Sequence, residues 1–313
     1  MRNRSILLAA AAIAVLPFPA SAHRMWLLPS TTTLADTNQW VTVDAAVSND
    51  LFYPDHFPMP TDQIRVWAPD GTEGAIENAA RGRYRSTFDV KIDKPGTWKI
   101  GTETASVMGS FKVGGEEWRV GGRRGPGGPG GQGPIGPGGQ GGAAAAQNRP
   151  ASGAPTGPGA QAGPARRSVA TVAEIPGNAT DVKLTEVSGR NVVFVTAGEP
   201  STTVFKPSNK GLELQPVSHP DALVQDEPGR FRFLVDGKPA AGVKVTVVPG
   251  GKRFREVEGA QELTTGADGS LSVNWPVAGM YWMSGTLTDA HPTLPRATER
   301  RMTYTTTLEV VAP

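Results

Sequence analysis

Short runs of alternating apolar and polar residues recur along most of the chain, separated by turn residues. Trp40–Asp44 (WVTVD), Gln63–Trp67 (QIRVW) and Tyr84–Ile92 (YRSTFDVKI) each put their apolar side chains on one face of an extended strand. Ala68-Pro69-Asp70-Gly71 and Pro95-Gly96 carry turn chemistry between such runs. Thr97–Ile100 and Ala105–Val113 continue the pattern, which resumes at Ser168–Val172, Asp181–Leu184 and Asn191–Thr196. Further runs follow at Leu212–Val217, Arg230–Val235, Gly242–Val248, Ser270–Trp275, Met280–Met283 and Met302–Val311. No long stretch has apolar residues at helical spacing. The pattern predicts an all-β chain built as two β-sandwich domains.

Two stretches break the rhythm. Residues 1–22 begin with Arg2 and Arg4, continue with an apolar run over 6–16, and end in Ala20-Ser21-Ala22. A basic start, a short apolar core and small residues at the end predict a signal peptide cleaved after Ala22, and hence an exported, periplasmic protein. The apolar run is short for a membrane span, which needs about 20 residues. Residues 121–165 hold 17 Gly and 8 Pro, no aromatic residue, and Ile135 as the one large aliphatic. Such a composition buries too little apolar surface to offset its ordering entropy, so a disordered insertion is expected there. The predicted domains are therefore 23–210, carrying the insertion 121–165 as a loop, and 211–313.

Charge and cysteine content remove several functions. Without the leader the chain holds 29 basic and 29 acidic residues. Five of the arginines (Arg123, Arg124, Arg149, Arg166, Arg167) fall in or beside the Gly/Pro-rich segment. A nucleic-acid-binding domain concentrates positive charge on a folded face, so nucleic acid is set aside as a partner. The arginines give the insertion some affinity for anionic envelope surfaces. There is no cysteine. Thiolate zinc sites, iron–sulfur clusters, blue-copper thiolates and cysteine nucleophiles are excluded, and a transition metal would need histidine, carboxylate, thioether or backbone donors. No Gly-x-Ser-x-Gly elbow is present.

The histidines then carry the chemistry, and there are four: His23, His56, His219 and His291. Cleavage after Ala22 would free an α-amino group on His23, which with its own imidazole makes a chelating pair. The ordinary α-amino pKa of about 7.7–8.0 leaves a usable neutral fraction near neutral pH. His56 lies in the aromatic-rich segment Asn49–Met59 (NDLFYPDHFPM), where Asp55 is placed to be a ligand or to orient an imidazole. His219 precedes Pro220 at the start of the second domain and is a third candidate ligand. His291 reads as an exposed loop residue and is left out. Met25 and Met59 are the thioethers nearest these positions.

Several of these segments resemble a known family. The start His23-Arg24-Met25-Trp26-Leu27-Leu28-Pro29 is similar to the AH-x-x-W/F-hydrophobic-x-P start of a bacterial periplasmic family. That family is the NikM-like nickel/cobalt-transport components (domain of unknown function 4198). Val43–Phe57, Gly211–Pro220 (GLELQPVSHP) and Asp236-Gly237-Lys238-Pro239 also resemble it. The last of these is similar to prealbumin-like and carboxypeptidase-regulatory-like β-modules as well. The resemblance implies export, Ig-like or prealbumin-like sandwiches, and handling of a divalent transition metal, nickel, cobalt or copper, in partnership with a membrane metal transporter. Two other functions fit the same residues. One is a structural or adhesive envelope module. The other is a copper-dependent oxidase of the N-terminal-histidine type, as in lytic polysaccharide monooxygenases.

Overall fold

The structure, a computed structural model, describes residues 23–121 and 167–313. The predicted leader lies outside the described residues, as does the predicted insertion apart from Gly121. In chain order the first strands are β1 (Arg24–Pro29), β2 (Thr33–Leu34), β3 (Gln39–Ser48), β4 (Phe57–Pro58), β5 (Arg65–Trp67), β6 (Glu73–Gly74), β7 (Glu77–Arg81), β8 (Arg85–Ile92), β9 (Gly96–Val113) and β10 (Glu116–Val120). Then come β11 (Arg167–Val169), β12 (Thr180–Ala197), β13 (Leu212–Pro216), β14 (Gly229–Val235), β15 (Lys238–Pro239), β16 (Lys244–Pro249), β17 (Gln261–Thr264), β18 (Ser270–Val273), β19 (Gly279–Asp289) and β20 (Glu299–Val310). Helix among the described residues is limited to three-residue 3₁₀ turns. No helix among them is long and apolar enough to cross a membrane.

These strands form three sheets. The first runs β1-β3-β8-β7, with β4 on β3. The second runs β11-β10-β9-β12-β20-β19-β16-β17, with β2, β5 and β6 attached. The third runs β13-β14-β15, with β18 on β14. One sandwich packs the first sheet on the β9/β12 half of the long sheet, burying Leu27, Val43, Phe88, Val90, Trp98, Ile100, Val193 and Val195. The other packs the third sheet on the β20/β19/β16 half, burying Phe231, Phe233, Trp275, Tyr281, Met283 and Tyr304.

Strand β12 belongs to both sandwiches. Residues 191–197 are all buried, and their side chains alternate between cores. Val193, Val195 and Ala197 enter the first, while Val192 and Phe194 enter the second. A strand covered on both faces reads as an unbroken apolar run, which explains Val192-Val193-Phe194-Val195. Within the long sheet the two sandwiches meet at one strand junction. It is a parallel ladder of β12 with β20, from Thr185↔Glu299 to Val193↔Thr307.

Two pairs of predicted strands are single long ones. Thr97–Ile100 and Ala105–Val113 are both in β9, and Asp181–Leu184 and Asn191–Thr196 are both in β12. The Gly-, Ser- and Thr-rich middles that read as breaks are exposed for residues 103–106 while remaining in register, with Glu103↔Arg190 and Thr104↔Gly189 paired. The predicted strand Ser168–Val172 stops at Val169, and Val172–Glu174 is a 3₁₀ turn. At that end a small cluster of Phe111, Val120, Ile175 and Leu184 supports β10 and β11. Those two strands run parallel, with Trp118↔Arg167, so the chain leaves at Gly121 and returns beside the same strand.

Candidate functional site

The His-bearing start of the described chain sits on an edge strand. β1 pairs with β3 alone, antiparallel, with Arg24↔Ser48 and Leu28↔Asp44. Alternation splits its side chains. Leu27 enters the first core, whereas Trp26 and Leu28 face the second sandwich. With Ala46, Leu51, Val248, Trp282 and Phe52 they make a small core between the sandwiches. Trp26 is fully buried and its indole Nε1 donates to Ser48 Oγ at 2.6 Å. An edge strand leaves backbone carbonyls without a ladder partner. Here Trp282 Nε1 donates to Met25 O at 3.0 Å, from the second sandwich.

The segment after β3 turns back on itself. Asn49 N donates to Asp55 Oδ1 at 2.9 Å, and Ser48 Oγ donates to Asp50 O at 2.5 Å. Phe52 adopts a left-handed backbone, φ 61, which the tight reversal requires. The chain then rejoins β3 through Val47↔Phe57. This return lays His56 on His23. Their ring centroids are 3.9 Å apart with 18° between planes, and His56 also leans on Phe57 at 4.6 Å. Both histidines are exposed. Asp55, expected as a ligand or an orienter of an imidazole, instead closes the loop that carries His56.

A loop from the second sandwich completes the surroundings. Gly250–Ala260, between β16 and β17, comes up against β1 and the 49–57 segment. Arg24 grips Glu258 with both guanidinium nitrogens, at 2.5 and 3.2 Å, and lies over the Trp282 ring at 5.4 Å. The Arg24 hydrogen bond is the main cause holding the Glu258 carboxyl below its usual range. Gly250 is fixed by close approach. A Cβ there would lie 2.6 Å from Phe52 Cδ2, so a side chain would push the two loops apart. Arg24 and Glu258 are 234 residues apart in sequence, and no spacing signal links them.

His219 is not part of this cluster. Its Nδ1 accepts from Asp221 N at 3.2 Å, and its Nε2 lies 3.1 Å from Thr97 Oγ1 and 3.3 Å from Ser201 O. With Nδ1 accepting, Nε2 carries the proton and donates. Its ring edge packs on Phe205 at 5.4 Å. The residue fastens the start of the second sandwich to the first residues of β9 and to the segment after β12. Neighbouring Thr196 donates its N–H to Thr32 O, beyond the far end of β1 from His23. At about 3.3 Å per residue, β1 alone places about 17 Å between those ends. Burial is the main cause raising the Asp221 carboxyl above its usual range beside this histidine. His291 is exposed, with its backbone N donating to Asp289 Oδ1 at 2.9 Å.

The donor set at the cluster is thus two imidazoles. Among the described residues no group of three or more His, Asp or Glu side chains gathers to hold a metal. With planes only 18° apart, the in-plane lone pairs run almost side by side, so a shared ion needs one ring to rotate. Exposure leaves room for that. A third nitrogen is available at the same place if His23 is the first residue of the mature chain, and those three nitrogens fit a first-row divalent ion.

A model of the family described as "Domain of unknown function (DUF4198)" matches residues 20–289. No curated protein matches the chain. Among solved structures the chain is similar to the D0-D1 domain of Intimin, at 9% identity and a TM-score of 0.19, covering 90% of this chain and 97% of that one. It is also similar to Escherichia coli alpha-2-macroglobulin activated by porcine elastase, at 9% identity and a TM-score of 0.19, covering 90% and 30%.

Proposed function

We propose, from the premise that the chain belongs to the DUF4198 family, that it is an exported protein which binds a divalent transition metal at its mature N-terminus. The ligands are the His23 α-amino nitrogen, the His23 imidazole and the His56 imidazole. The observation that carries the reading is the contact of the two histidine rings at 3.9 Å, made by residues 33 positions apart on two different segments. Nickel, cobalt and copper all suit a set of amine and imidazole nitrogens. Three protein ligands leave coordination positions open, as a protein that takes up and releases its ion requires. The NikM-like resemblance makes a membrane metal transporter the receiving partner. His219 is left out because both its ring nitrogens are engaged elsewhere.

Two measurements on the exported protein test the reading. Mass spectrometry of the N-terminus should find His23 first. Calorimetric titration with nickel and copper should then give tight one-to-one binding. His23→Ala removes the imidazole arm of the chelate and should weaken binding about 100-fold, or about 2.7 kcal/mol. Equal affinity in His23→Ala would sink the proposed ligand set.

A further inference from the structure

The loop beside the histidine pair holds its side chains in an unusual disposition. Phe254 is 84% exposed and Val257 70% exposed, the two most exposed large hydrophobic side chains among the described residues. Both lie in the Gly250–Ala260 loop. Tyr53, which shares Arg253 with Phe254, is 44% exposed. Scattered apolar residues on a surface are ordinary, but a cluster at one end of a molecule marks a contact surface.

The loop is also built to hold that shape. Arg255 donates to Gly250 O at 2.7 Å, Pro249 O at 3.0 Å and Glu258 O at 3.2 Å, so one guanidinium ties both ends of the loop. Gly251 takes a left-handed backbone, φ 75, and opens a 3₁₀ turn at Lys252–Phe254. Arg24 fastens the base through Glu258. The result presents Phe254 at the outside of a fixed turn. Arg253 lies over Tyr53 at 4.1 Å and over Phe254 at 5.5 Å, so its charge stays beside the rings. Glu258 is neutralised by Arg24, which leaves Lys252, Arg253 and Arg255 against Glu256.

We infer that this loop is a membrane-docking tip whose partner is an anionic lipid surface. A convex turn with one exposed ring and flanking cations fits the headgroup boundary. The ring enters the acyl edge while Lys252 and Arg253 meet lipid phosphates, each cation and the apolar area adding to binding. The inference stands on the loop alone and does not depend on metal binding.

The absence of cysteine permits a direct test. Phe254→Cys, labelled with an environment-sensitive fluorophore on the full exported chain, is mixed with phosphatidylcholine vesicles containing phosphatidylglycerol, with chelator present. The dye should shift to the blue, while a dye at Val217→Cys, exposed on another part of the surface, should not. Co-sedimentation of the unlabelled protein should fall about tenfold in Phe254→Ser and again in Lys252→Ser/Arg253→Ser. Phe254 is too exposed for its loss to unfold the chain, which circular dichroism checks. Undiminished sedimentation of the variants overturns the inference, since another segment would then hold the lipid. So does indifference to phosphatidylglycerol, or a dye shift that arises only with an added protein. Because metal is excluded, failure here leaves the ligand proposal standing, and failure of the titration leaves this one standing.

Discussion

Two ends of the same molecule each hold a histidine at a junction between the sandwiches, and the two are used differently. At one end His219 has both ring nitrogens in hydrogen bonds, with Asp221 N on one side and Thr97 and Ser201 on the other. At the other, His23 and His56 stack on each other in the open, and the polar work of the junction is done by neighbours: Arg24 with Glu258, Trp282 with Met25 O, Trp26 with Ser48. A histidine whose nitrogens close a junction is unavailable for chemistry. One that is spared that task keeps its lone pairs for a ligand. Residue type and flanking motif do not separate the two cases, because what matters is which groups lie around the ring.

Four substitutions probe that division, beginning with the largest effect. Trp282→Ala removes a ring from the small core between the sandwiches, together with the donor to Met25 O. It should lower stability by about 3–5 kcal/mol in denaturant unfolding, and loosen the strand that carries His23. A loss under about 1 kcal/mol would mean the two sandwiches do not rely on this contact.

Next, His56→Ala should weaken nickel or copper binding about 100-fold, about 2.7 kcal/mol, with unfolding changed by no more than about 0.5 kcal/mol. The reverse is expected of His219→Ala. It leaves Asp221 N and Ser201 O without their partner and should cost about 1–2 kcal/mol of stability, while the metal titration stays as in the wild type. If both substitutions weakened the metal equally, the division between the two ends would fail.

The smallest effect is a pH-dependent one. Glu258 has a carboxyl depressed mainly by the Arg24 hydrogen bond. A depressed carboxyl stabilises the fold above its ordinary pKa of 4.5, and that stabilisation is lost as pH falls through the lower folded-state value. Wild type should therefore exceed Glu258→Gln by about 1 kcal/mol at neutral pH. The two unfolding curves should converge on acidification below 4.5. A gap that persists unchanged into acid would trace the effect to something other than this ion pair.

Much of the architecture was legible in the chain because strand formation is local. Alternation in Trp40–Asp44, Tyr84–Ile92 and Arg230–Val235 is a property of neighbouring residues, and each lies in a strand except Tyr84, which sits just ahead of β8. β1 was harder. Trp26-Leu27-Leu28 is apolar without a break, because the strand feeds two cores, and it reads as a motif more readily than as an alternating strand. The lengths of β9 and β12 were hidden for the opposite reason. Their middles are polar because both faces reach solvent there, and only pairing across the sheet keeps them extended.

The site divides in the same way. The sequence by itself determined that the chain is all-β and that no thiol chemistry is open to it. It also narrowed any imidazole donor to four positions, since composition and short-range periodicity do not depend on how the chain closes. Tertiary structure alone decided that His23 meets His56, that His219 is bound up in a junction, and that a loop from Gly250 to Ala260 stands beside Arg24. Those relations join residues tens to hundreds of positions apart. They are fixed by the β3 reversal, the shared strand β12 and its parallel ladder to β20, and ladder pairings of that range leave no periodic mark on the sequence.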